Sequence, residues 1–320
     1  MTRTELQDAA RQAFGNSGLA PDAGKSWGLV AEMGWLTMTV PEARGGLGLG
    51  REAAGVIHTE FGRALIPGPV IAQMLVIEAL SIADDFPERD DLLARAMGGE
   101  VMTASLSPGD RLDCVPDADE ASHALVIEPD RVALVALEGA SITARNSWDK
   151  TRRLFDVAPN GPRFPLATGD AATTLARRLE AQLLVAIAGD SLGGAAAILE
   201  LTIEYLKIRH QFGRPLALFQ ALKHRVADMR TWLSAAEALF WARATDPAAT
   251  LVEIGALKAH ACDVYCAIAE DAIQLHGGIG LTMEYHCHLF LKRATLNAVL
   301  GGDADHWAAR AGRCALDAAA

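Results

Sequence analysis

Apolar positions recur every three to four residues along most of the chain, the period of a helix with one buried face. In the first hundred residues Trp27, Val30, Met33 and Leu36 fall near that spacing before the pattern stops at Gly34-Trp35. A glycine-rich segment from Val40 to Gly50 predicts a tight turn that opens a helix at Arg51, with further helices around 68–82 and 87–97. That segment lacks a preceding strand and the spacing of a nucleotide loop, so it reads as a packing turn. Between Val101 and about Pro165 the texture changes. Ala124–Ile127 and Arg131–Leu137 are short β-prone runs split by Glu128-Pro129-Asp130, a hairpin signal. From Asp170 the helical period returns over about 173–207, 217–243, 247–275, 283–298 and 303–317. Long helices with short turns predict an antiparallel bundle. The chain therefore divides into a helical segment (1–97), a short β-segment (98–168) and a helical bundle (169–320).

Composition narrows the function classes. The 320 residues are 51% hydrophobic, enough for a large core, and only 6% aromatic. A formal net charge of -11 argues against nucleic acid as a partner. Cys114, Cys262, Cys266, Cys287 and Cys314 form no disulfide framework, and the polar start lacks a secretory h-region, so a reduced, cytoplasmic setting is expected. The most apolar run, Leu183–Leu201, contains Asp190, Glu200 and several glycines, and reads as a buried helix without membrane insertion. His260, Cys262, Asp263 and Cys266, like His286-Cys287-His288, lack a convergent ligand spacing, so no metal is expected.

Two stretches carry candidate chemistry. In Tyr205–Met229 an apolar face ends, Gly213 and Pro215 are expected to stop the helix, and Leu218, Leu222, Val226 and Met229 begin another. Between them lies Arg209-His210-Gln211-Phe212-Gly213. One reading is a helix end whose cations offset the dipole while Phe212 acts as a hinge. The other is a clamp: Arg209 on phosphate, Gln211 donating a hydrogen bond, Phe212 against a flat ring. In the second stretch, Asp271–Tyr285, a glycine cap explains Gly277 but not Gln274 or the glycines that follow.

Arg209-x-Gln211-Phe212-Gly213-Arg214-Pro215, with Phe219-Gln220 and His224-x-x-Ala227-Asp228-Met229, resembles the acyl-CoA dehydrogenase family. So do Gln274-Leu-His-Gly277-Gly278-Ile-Gly280, Gly34-Trp35 through Pro41-Glu42 and Gly45–Gly48, and Glu60-Phe-Gly-Arg63. The resemblance implies a mainly α fold, acyl-CoA dehydrogenase-like, with an N-terminal helical domain, a reduced middle β-domain and a C-terminal antiparallel four-helix bundle. It implies FAD as cofactor and α,β-dehydrogenation of an acyl-CoA thioester. By the same resemblance Arg209, Gln211, Phe212, Gln274, Gly277 and Gly278 contact the adenylate and pyrophosphate end of FAD bound mainly by a neighbouring subunit.

The resemblance fails in two places. The β-segment is too short, and Thr103–Asp110 departs from the family's flavin-covering loop, so a flavin seated against it lacks its usual cover. Counting from the motifs, the family's two alternative positions for the catalytic carboxylate fall on Gly301 and Leu183. Two substitutes lie nearby. Glu180 is three residues before Leu183, about 4.5 Å along a helix axis, and Asp303 is two residues past Gly301. Both are expected as solvated surface acids. Asp303 and Asp305 also stand where the family commonly has a Thr and a Gln on the flavin. The pattern resembles the short, degenerate subunit of heteromeric bacterial enzymes acting on steroid side-chain CoA thioesters, paired with a full-length catalytic subunit. The alternatives are a self-sufficient enzyme with an unplaced base, and a non-catalytic scaffold or acyl-binding protein.

Overall fold

A computed structural model describes residues 2–15, 18–84, 86–106, 111–128 and 130–319. Five helices open the chain: α1 (Arg3–Gly15), α2 (Ala23–Glu32), α3 (Gly50–Ala64), α4 (Val70–Ile82) and α5 (Arg89–Met97). Strands β1 (Met102–Ala104), β2 (Val115–Pro116), β3 (His123–Glu128), β4 (Arg131–Ala136), β5 (Ser141–Arg145), β6 (Leu154–Ala158) and β7 (Arg163–Thr168) follow. The expected hairpin is present, with Glu128 paired to Arg131. Its tip, Pro129, and residues 107–110 of the Thr103–Asp110 segment lie outside the described residues.

The strands form two small sheets, β1-β3-β4-β7 and β2-β6-β5. Alternation along β3 and β4 explains how they stack. Ala124, Val126 and Val135 face the second sheet with Val115, Phe155 and Val157. Leu125, Val132 and Leu134 face the other way, into a core shared with α1 to α5.

Helix α6 (Gly169–Ile208) is the axis of the molecule. Its 40 residues span about 60 Å. Leu175, Leu179, Leu183 and Ile187 belong to the N-terminal core, while Leu192, Ile198, Tyr205 and Leu206 belong to the bundle core. The 18-residue apolar window that would suffice for a membrane span is 89% buried inside the protein. α6 packs with α7 (Gln220–Ala244), α8 (Leu251–His276) and α9 (Cys287–Val299) as a four-helix bundle, and α10 (Ala304–Ala319) docks outside it. Where α3 crosses α6 the backbones touch. A Cβ at Gly62 would sit 1.9 Å from the Asp190 carbonyl oxygen, and one at Gly193 would sit 1.8 Å from that of Thr59.

The α6–α7 connection corrects an expectation. The helix ends at Ile208, before Gly213 and Pro215 can stop it. His210–Gln211 pairs with Arg214–Pro215 as a miniature hairpin whose tip, Phe212-Gly213, has φ of 54° and 76°. A turn with two left-handed residues needs extended flanks, and these pull Arg209 out of the helix.

At the crossing of α3, α6, α9 and the β5–β6 loop lies a buried polar network. Arg293 donates to Asp149 (2.7 Å), to Asp190 (3.0 Å) and to Thr151. Arg152 donates to Asp190 (2.9 Å) and Asn297 (2.7 Å), and Asn297 donates to Asp190 (2.7 Å). Two guanidinium cations meet two carboxylates, so the cluster is neutral. Burial alone would push both carboxyl groups up. For Asp190 the opposing charges of Arg152 and Arg293 outweigh it, and for Asp149 Arg293 and Thr151 do so, holding both below the usual range. Nearby, burial pushes His58 down to about 4, against a smaller upward pull from Asp190.

Two predictions follow from this interior. Replacing Arg293 by Met leaves two buried carboxylates sharing one cation, and should cost about 3–5 kcal/mol of unfolding free energy in a denaturant titration. A loss under about 1 kcal/mol would mean the network contributes little to stability. The second concerns pH. His58 titrates at about 4 when folded but near 6.5 when unfolded, so below 6.5 the unfolded state binds the extra proton. Stability should therefore be fully present above pH 6.5 and fall toward pH 4, with His58 contributing up to about 1.4 kcal/mol per pH unit. His58→Gln should flatten that part of the profile; an unchanged slope would contradict the assignment.

Candidate functional site

Three aromatic rings bring the two sequence motifs to one end of the bundle. Tyr205 on the last turn of α6 stacks on His276 at the end of α8, with centroids 4.2 Å apart. Tyr285 closes against both, at 5.3 Å from each. The Tyr205 hydroxyl donates to the His276 carbonyl at 3.2 Å, so the two helix termini are tied covalently to neither yet fixed to each other. The Arg209–Gly213 corner and the Gln274–Gly278 corner thus share one face. That association is invisible in sequence, where they lie more than sixty residues apart.

Every proposed contact residue on this face points outward. Arg209, Gln211, Phe212, Gln274, Gly277 and Gly278 are all exposed. Phe212 is 90% exposed while holding a left-handed backbone, a conformation that costs a non-glycine residue about 1–2 kcal/mol. Its ring meets Phe219 edge-on at 6.1 Å, and the Arg214 guanidinium lies 4.1 Å over Phe219. Among the described residues Arg209 has no carboxylate within ion-pairing reach. Its backbone alone is engaged, donating to Tyr205 and accepting from Leu216. A Cβ added at Gly277 or Gly278 would meet nothing within 4 Å, so their outer side is open.

Charge gives this face its character. Residues 205–227 contain Lys207, Arg209, Arg214, Lys223 and Arg225 and no Asp or Glu, in a chain of net charge -11. Lys207 pairs with Glu204 and Arg225 with Asp271, which leaves Arg209 and Lys223 without an ion-pair partner among the described residues and Arg214 held only against a ring. Such a local excess of cations attracts a polyanion. Guanidinium, side-chain amides and an exposed ring are the groups that suit a nucleotide's phosphates and base.

The two base positions come together elsewhere, between α6 and the α9–α10 turn. A Cβ at Gly301 would lie 3.1 Å from Leu184, 3.3 Å from Ile187 and 3.9 Å from Leu183. Positions far apart in sequence therefore converge, and both are apolar. The turn is pinned. Gly301 donates to Leu106 O at 2.8 Å and accepts from Trp307 Nε1 at 3.0 Å, while Lys258 Nζ donates to Ala298 O and Gly302 O at 2.9 and 2.7 Å. The substitute acids are committed to other work. Glu180 is partly exposed rather than fully solvated, and accepts from Arg310 of α10 at 2.7 Å. Asp303 is exposed and accepts from the His306 amide at 2.8 Å, closing the first turn of α10, where Asp305 is exposed too.

Where the β-segment meets α3, α4 and α6 the interior is nearly filled. The hollow between Phe61, Ile71, Leu106, Pro116, Arg152 and Asp190 holds about 10 Å³, room for one water. Sequence reasoning missed the network beside it. Its one legible signal was Asp190, an acid inside an apolar run, but the partners Asp149, Arg152, Arg293 and Asn297 come from distant elements. Thr103, at the start of the segment expected to depart from a flavin loop, is buried and donates to Pro116 O at 2.7 Å.

This arrangement can be compared with known proteins. The model of the acyl-CoA dehydrogenase C-terminal domain matches residues 184–313, and that of the N-terminal domain matches residues 1–84. The acyl-CoA dehydrogenase IpdE2 of Mycolicibacterium smegmatis is 32% identical over 280 residues, covering 86% of this chain and 83% of that protein. A variant of the Tcur3481–Tcur3483 steroid ACAD superposes with a TM-score of 0.86 at 28% identity over 99% of both chains. The ChsE4–ChsE5 complex from Mycobacterium tuberculosis shares the fold, with a TM-score of 0.84 at 20% identity over 97% of this chain and 96% of that one. With both terminal domains matched and both motif corners meeting on one cationic face, the chain belongs to the acyl-CoA dehydrogenase family.

Proposed function

We propose that this chain is the non-catalytic half of a heteromeric acyl-CoA dehydrogenase. It contributes one side of an FAD site to a full-length partner, and the substrate is a steroid-derived acyl-CoA thioester. The observation that carries this reading is a contrast between two places. The cofactor-contact corner is exposed, cationic and unpaired, while Leu183 and Gly301 press against each other without a carboxylate. The similarity to the Tcur3481–Tcur3483 protein, described as a steroid ACAD, supports the partner and the substrate class.

The fit to FAD divides in the same way. The outer corner suits the adenylate and pyrophosphate end: Arg209 can bind a phosphate through two N–H groups, Gln211 and Gln274 can donate, and Phe212 can cover a ring. The interior beside the β-segment does not suit the isoalloxazine, because the Arg152–Asp190–Arg293 network fills it. When bound, FAD supplies the hydride acceptor. This chain's residues hold and orient its far end, and the α-proton of the thioester is left to a carboxylate of the partner.

The isolated chain should therefore purify with little FAD and show negligible acyl-CoA oxidation. Stoichiometric flavin absorbance in the homomer would instead establish a self-sufficient enzyme. In the reconstituted assembly, Arg209→Ala removes a charge-assisted contact of about 1.5–3 kcal/mol and should weaken FAD retention about ten- to a hundredfold. Gln274→Ala should act in the same direction more mildly, with thermal stability unchanged. If both variants hold FAD as tightly as wild type in an intact assembly, the corner is structural and the chain is a scaffold.

A further inference from the structure

A second recess, away from the cofactor corner, lies between α3, α4 and α6, with α7 and α8 each adding one residue. It has a volume of about 120 Å³, roughly ten times what one water requires. Ala54, Val185, Ala186, Ala244 and Ile254 give it apolar walls. One of its polar groups lacks a partner. The Gln182 amide oxygen is buried and accepts no hydrogen bond. His58 is 2% exposed, lines the recess, and has no hydrogen bond among the described residues. At the rim Arg178 donates to Glu78 at 2.5 Å, so those two charges cancel. Arg51 is exposed there with no ion-pair partner among the described residues.

These features set the chemistry of an occupant. An orphan buried polar group costs about 1–3 kcal/mol, so a purely apolar ligand would leave Gln182 unsatisfied. A multiply charged anion would find one free cation and the Glu78 carboxylate beside it. Arg51 and His58 stand seven residues apart on α3, on one face and about 10.5 Å apart along the axis. That separation matches an extended chain of about five to seven carbons with a polar group at each end.

We propose that this recess binds a small aliphatic carboxylic acid bearing a hydroxyl at its far end. The carboxylate pairs with Arg51, the chain lies on Ala54 and Val185, and the hydroxyl donates to Gln182 Oε1 while meeting His58. The site is independent of flavin binding, since no residue in it belongs to the cofactor corner.

The test is a calorimetric titration of the full chain with 6-hydroxyhexanoate, hexanoate and 1,6-hexanediol. 6-Hydroxyhexanoate should bind at least about threefold more tightly than hexanoate, the effect of one neutral hydrogen bond. It should bind about tenfold more tightly than the diol, which lacks the charge-assisted contact. Gln182→Leu should abolish the first preference and Arg51→Gln the second, neither lowering the melting temperature and each leaving flavin retention in the assembly unchanged. Failure of 6-hydroxyhexanoate to half-saturate the chain by about 10 mM, the concentration that corresponds to about 2.7 kcal/mol of binding free energy, would overturn the proposal. So would preferences that survive both substitutions.

Discussion

The neutral cluster of Arg152, Arg293, Asp149 and Asp190 is the constraint on which the remaining architecture depends. Its members come from the β5–β6 loop, α6 and α9, so the small sandwich, the N-terminal helices and the bundle meet at one set of charges. A buried ion network is a poor source of net stability compared with apolar contacts, because desolvation consumes much of the attraction. What it supplies is registration. Each guanidinium accepts only one arrangement of its neighbours, and Asn297 binding Arg152, Asp190 and Ser191 fixes α9 against α6 at a defined height. The touching backbones at Gly62 and Gly193 set the α3–α6 distance just as rigidly.

That arrangement bears on how the family's fold is used here. The interior beside the β-segment is occupied by the chain's own charges, and Gly301, where motif spacing leads us to expect a carboxylate, is a left-handed glycine wedged against Leu184 and Ile187. A glutamate could not simply be restored at Gly301. Its backbone would be strained and its Cβ crowded, while Lys258 and Trp307 hold the turn in place. The opposite end of the bundle carries the reverse economy, with a strained, nearly fully exposed Phe212 and an unpaired Arg209. Such features stabilise nothing in the chain by itself.

Much of the fold was legible because helices announce themselves by period. α3 to α10 lie within a few residues of the apolar runs that predict them, and the Glu128–Arg131 hairpin stands where its turn residues put it. The second sheet was not legible: β2 has two residues, and β5 is almost wholly exposed, so neither offers an alternation to read. The corner residues could be named from their motif, but not their meeting, which depends on Tyr205 reaching His276 across the bundle. The ion pair of Glu180 was not legible because its partner Arg310 lies 130 residues away. Only Asp190 hinted at the buried network, and a lone acid in an apolar run does not name its cations.

The length of α6 has a consequence for how the molecule comes apart. A single unbroken rod runs through both apolar cores, entering one at Leu175 and leaving the other at Leu206. Helical order propagates along a rod once nucleated. The two cores are therefore expected to melt together, and among the described residues no linker interrupts the rod between them. Melting is expected to be a single cooperative event, and the slowest-exchanging amides to lie near the middle of α6, beside the charges that pin it.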